Sequence, residues 1–122
     1  MISWMGLLAA LAVILLGGLG AVLRLFLSRW NGWLPWGILT ANTLGSLVAG
    51  AAIWFGPHNT VTILATVGLA GGLSTFSSWA AQTSTFLANN QRARAIANTL
   101  LNLALPALAV VTGLLVTATL LK

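Results

Sequence analysis

The chain has 122 residues with no Asp or Glu, only five Lys plus Arg, one His, and 59% apolar residues, for a net charge of +5. A water-soluble domain devotes about a quarter of its residues to charge, so this is the composition of a chain built to sit in lipid. Without Cys it forms no disulfides and holds no thiol-ligated metal. The cations are too few and too dispersed to track phosphates, so the expected surroundings are the lipid bilayer and not nucleic acid.

A membrane-crossing helix needs about 20 mostly apolar residues, so the length allows about four spans. The whole chain, 1–122, reads as one four-span, all-α membrane domain with helices near 4–27, 36–55, 60–87 and 95–121. The first apolar run lacks a basic start and continues past Gly17-Gly18 to Leu27, which marks a membrane helix and not a removed leader. Arg24, Arg29 and Asn31-Gly32 close it. Trp30, Trp33 and Trp36 then crowd a short stretch, as at a membrane–water interface, and Pro35 suits the start of the second helix. Trp54 marks the opposite interface, and Gly56-Pro57-His58-Asn59 is a turn. His58 there reads as a solvated loop residue.

The third span is a poor uninterrupted helix. Gly71-Gly72 costs about 1 kcal/mol per glycine relative to alanine, and Ser74, Thr75, Ser77 and Ser78 follow. A break is expected within 68–79, tolerated at membrane depth only where protein or a polar cavity satisfies the backbone. Asn89 to Arg94 form a polar loop. The fourth helix holds Pro106, which removes a backbone donor and is expected to kink it. Arg29, Arg92 and Arg94, with Arg24 nearby, lie on one side. The positive-inside rule places that side in the cytoplasm and the termini outside.

Several side chains are candidates for function. Asn42, flanked by Thr40 and Thr43, carries a buried amide that either bonds a neighbouring helix or serves a polar path. Gly17, Gly20, Gly45 and Gly50 suit close helix approach. The hydroxyls after Gly72 suit back-bonding to freed carbonyls. Phe76 and Trp79 share a helical face, and either pack or turn their electropositive ring edges towards an anion. Arg24 can snorkel, bond helix-end carbonyls or draw an anion into a vestibule. Asn98 and Asn102, four residues apart, line a polar path or bridge helices. The chain carries no catalytic constellation, so it is not read as an enzyme.

Three segments, Gly17 to Arg24, Pro35 to Gly45 and Gly68 to Trp79, together resemble the Fluc/CrcB family of small fluoride channels. The resemblance implies an antiparallel dimer of broken-helix subunits in the cell inner membrane, with fluoride pores along the subunit boundaries. It also implies a structural Na⁺ held by the backbone carbonyls of Gly71 and Ser74. By motif, Asn42 is the pore asparagine, and Phe76 and Trp79 stand where relatives have two phenylalanines. Thr40 and Ser77 add pore hydroxyls, while Arg24, Ser78, Asn98 and Asn102 belong to the pore or its vestibule.

Two departures stand out. Position 79 is Trp, and helix 4 positions where relatives carry hydroxyls fall on Leu100, Ala104 and Leu108. The basic bias suits a fixed orientation, so the partner is either a second copy or an inverted, related subunit. A small multidrug-type transporter is disfavoured because it needs a membrane carboxylate. A non-conducting assembly subunit is the other alternative.

Overall fold

The computed structural model describes residues 3–122, and among them every regular element is helical. Helix α1 (Trp4–Leu27) is capped by the Ser3 hydroxyl, which accepts from the Gly6 amide. After a short loop, α2 (Trp36–Ile53) begins behind Pro35. It ends where Trp54-Phe55 turn into Gly56, whose φ is 92°. The third span, Thr60–Ala88, is composite. It contains α3 (Thr60–Ile63), a π-helical stretch (Leu64–Ala70), α4 (Gly71–Leu73) and, after a gap at Ser74-Thr75, α5 (Phe76–Ala88). Asn90, at φ 56°, closes the next turn, and α6 (Arg92–Leu120) runs through Pro106. Among the described residues four helical segments are long and apolar enough to cross a membrane. The chain is a multi-pass membrane protein.

Small residues set the packing. In lipid the apolar effect does not drive helices together, so close backbone approach and dispersion must. The first half of the third span packs on α1, where a Cβ on Gly72 would overlap the Gly17 carbonyl and one on Gly20 would meet the Leu69 carbonyl. On the other side, α2 packs along α6, where a Cβ on Gly50 would overlap the Val110 carbonyl and one on Gly113 the Leu47 carbonyl. Helix α2 therefore sits centrally and buries Ile38, Leu39, Ala41, Gly45, Gly50 and Ala52. Helix α5 leans on α6.

The basic loops are tied down. Arg94 donates to the carbonyls of Trp33 and Gly32 and to Gln91 Oε1, and its guanidinium stacks 4.3 Å over the Phe86 ring. One cation thus links the α1–α2 loop to the start of α6. The outward face carries the large apolar side chains, including Leu100 and Leu108 at 60% and 63% exposure. Ala104 is exposed as well. The three helix 4 positions without hydroxyls therefore point away from the subunit core.

Candidate functional site

The helix stops after the glycine pair and not at it. Gly71 and Gly72 keep helical geometry, Gly72 serving the contact with α1. The chain opens at Ser74 (φ −80°, ψ 154°) and Thr75 (φ −153°, ψ 123°), both extended. Extended backbone cannot continue the i to i+4 ladder, so donors and acceptors are freed at membrane depth, where each unsatisfied group is costly.

Neighbouring helices satisfy them. Asn42 Oδ1 accepts from the Thr75 amide at 2.7 Å, and Asn42 Nδ2 donates to the Thr75 carbonyl at 3.2 Å. One side chain of α2 thereby replaces the helical acceptor that the Thr75 amide lost and adds a donor to the Thr75 carbonyl. Arg24 Nη1 donates to the Ser74 carbonyl at 3.2 Å, which is the carbonyl-bonding use of this arginine. The Thr75 hydroxyl caps α5 by accepting from the Ser78 amide at 3.2 Å and lies 3.2 Å from the hydroxyls of Ser77 and Ser78. The Ser74 hydroxyl bonds back to the Ala70 carbonyl. With the Thr75 amide turned to Asn42, the Gly71 carbonyl loses its usual helical donor, and Gly71 is exposed on the subunit surface.

Asn42 also heads a chain of amides. Its Nδ2 donates to Asn102 Oδ1 at 3.0 Å. Asn102 Nδ2 donates to the carbonyl and Oδ1 of Asn98, and Asn98 Nδ2 donates to the Thr83 hydroxyl at 2.9 Å. Asn98 is 1% exposed and Asn102 9%, so both bridge helices inside the subunit. An Asn98→Leu variant leaves the Thr83 hydroxyl and one Asn102 hydrogen without partners. We expect a loss of about 1–2 kcal/mol of stability, read as a lower unfolding midpoint in detergent. An unchanged midpoint would mean the amide chain carries no weight.

Two clefts flank the break, and Thr75 borders both. The first, about 290 Å³, is lined by Asn42, Ser46, Ser74, Thr75, Phe76, Trp79 and Asn102, with Leu103 and Pro106. Phe76 is 75% exposed and meets Trp79 edge to face, with centroids 5.0 Å apart. The Trp79 Nε1 is buried without a partner. The second, about 250 Å³, is lined by Arg24, Ser28, Thr75, Ser77 and Ser78 among others. Of the sequence candidates, Thr40 and Asn98 line neither cleft. Sequence reading passed over Ser46 and Thr83. The signal for Ser46 is its place one helical turn beyond Asn42, on the same face.

The family model described as "CrcB-like protein, Camphor Resistance (CrcB)" matches residues 11–114. The "Fluoride-specific ion channel FluC" of Pectobacterium carotovorum subsp. carotovorum (strain PC1) is 44% identical over 103 residues, covering 77% of this chain and 81% of its own. The protein of the same name from Clostridium perfringens (strain 13 / Type A) is 38% identical over 117 residues, covering 88% and 91%. That from Erythrobacter litoralis (strain HTCC2594) is 36% identical over 124 residues, covering 89% and 91%.

Proposed function

The chain belongs to the CrcB family, and from that membership we propose that it is a fluoride channel of the inner membrane, passive and not enzymatic. The observation that carries the reading is the break in the third span. It is braced by neutral amides, lies beside an exposed aromatic edge, and belongs to a chain with no carboxylate to repel an anion. Fluoride is small and sheds water at great cost, so its path must offer hydrogen donors and electropositive ring edges in place of that water. The second cleft gathers Arg24, Ser77 and Ser78 as a vestibule. The first gathers Phe76, Trp79, Asn42 and Asn102 at the narrow part of the path. A negative interior contributes about 2.3 kcal/mol per charge per 100 mV in the outward direction, so export needs no coupled ion.

Gly71, exposed and with its carbonyl short of its usual helical donor, supports an antiparallel dimer, because bare backbone at this depth must be covered by protein or an ion. Its lone pairs point to the same need as the carbonyl of Ser74, which has one lone pair left after Arg24. Two such carbonyls from each of two inverted subunits make an all-oxygen donor set of the kind a hard cation takes. Na⁺ held there would supply positive charge that offsets the repulsion among converging carbonyl dipoles. The basic bias of Arg29, Arg92 and Arg94 against Lys122 favours an inverted, related subunit over a second copy.

Purified protein in vesicles loaded with fluoride tests the reading. We expect fluoride efflux well above the chloride leak, from a species of dimer mass, and weaker efflux when Na⁺ is withheld during preparation. No efflux, alone or with an inverted relative, would overturn the channel assignment. Na⁺-independent efflux would overturn the cation site alone.

A further inference from the structure

The side-chain donors that line the first cleft are nearly all engaged within the subunit. Both amide hydrogens of Asn42 are directed to protein acceptors, the Thr75 carbonyl and Asn102 Oδ1. Asn102 Nδ2 is directed to the carbonyl and Oδ1 of Asn98. The Ser74 hydroxyl donates to the Ala70 carbonyl, and the Thr75 hydroxyl is held among Ser77 and Ser78. The Trp79 N–H is shielded from the cleft surface. An anion entering here therefore meets amide groups that are already committed and an Asn102 oxygen that repels it.

Ser46 is the exception. It is half-buried on α2, one turn beyond Asn42, and lines the same cleft. Helical hydroxyls in this protein commonly bond the carbonyl four residues back, as Thr43, Thr66, Ser74, Thr85, Thr112 and Thr117 do. Among the described residues Ser46 makes no such bond and has no other hydrogen-bond partner. Its O–H can turn into the cleft without breaking anything, whereas the Asn42 amide must give up an existing bond to donate.

We propose that Ser46, which shares the first cleft with Phe76, is the anion-binding hydroxyl of this channel, and that Asn42 acts as the positioning residue that holds the break. This rests on the fluoride-channel reading above. Asn42 keeps the Thr75 backbone in place, and Ser46 supplies the donor that replaces one of the water molecules fluoride sheds. The division of labour follows from which hydrogens are free.

The test compares Ser46→Ala with wild type as single-channel fluoride current in planar bilayers. Current amplitude reports the path itself, since misfolded protein gives fewer channels and not smaller ones. We expect the amplitude to fall about tenfold or more. Vesicle efflux covers a variant too slow to resolve electrically, with elution as a wild-type-sized species as the check on folding. Background-level efflux from such a species supports the proposal. A Ser46→Ala current equal to wild type overturns it while leaving the channel reading intact. A wild type that passes no fluoride, either alone or with an inverted relative, overturns both.

Discussion

Asn42→Ala is expected to cut fluoride efflux by more than about tenfold in vesicles holding equal amounts of folded protein. The substitution removes the acceptor of the Thr75 amide and a donor to the Thr75 carbonyl together. Each orphaned buried group costs about 1–3 kcal/mol, and about 1.4 kcal/mol is already a factor of ten in rate or population. The extended pair Ser74-Thr75 then relaxes towards whatever partners it finds, and both clefts that Thr75 borders change shape. Asn42→Asp is expected to be at least as damaging although it is isosteric. One carboxylate oxygen still accepts from the Thr75 amide, but the other faces the Thr75 carbonyl and Asn102 Oδ1, two acceptors, and brings negative charge to a fluoride path. Wild-type efflux from either variant would show that the brace is dispensable.

Gly72→Ala is expected to destabilise the subunit by about 2–3 kcal/mol or more, the upper range for forcing atoms into a packed contact. The added methyl lands on the Gly17 backbone carbonyl, which has no rotamer with which to move away. Helix α1 must shift outward, and Arg24 shifts with it, loosening its hold on the Ser74 carbonyl. Gly18→Ala provides the contrast, since nothing lies within 4 Å of a Cβ there. Its helix propensity gain of about 1 kcal/mol predicts a neutral or slightly raised midpoint. Unfolding midpoints in detergent, with elution profiles, separate the two. Equal behaviour of the two variants would refute the contact as the basis of α1 docking.

Much of this architecture is legible in the residues. Hydropathy and the Trp clusters mark the spans, since a bilayer demands long apolar runs whatever the tertiary fold. The break is legible because glycines and hydroxyls accumulate in one stretch of the third span. Its exact place within 68–79 is not, because Gly71-Gly72 reads as a helix breaker while Gly72 in fact serves a neighbouring backbone. Asn42 stands out as a costly amide in lipid, but its partners depend on how α2, α5 and α6 register against one another. The same holds for Asn98 and Asn102, whose spacing fits a polar path as well as an internal bridge. Ser46 is marked in sequence only by its place one turn beyond Asn42. A serine four residues after Asn42 gains meaning only once the hydrogen bonds around it have been assigned.

The two halves of the third span answer to different neighbours. The half before Ser74 is locked against α1, and the half after Thr75 leans on α6. The side chain that clasps the backbone between them belongs to α2. Helix α2 also packs on both sides, against the π-helical stretch and against α6, so it is the element that spans the two halves. A tilt of one half against the other therefore strains the Asn42–Thr75 and Arg24–Ser74 bonds together, at the one place where the backbone has no helical ladder of its own.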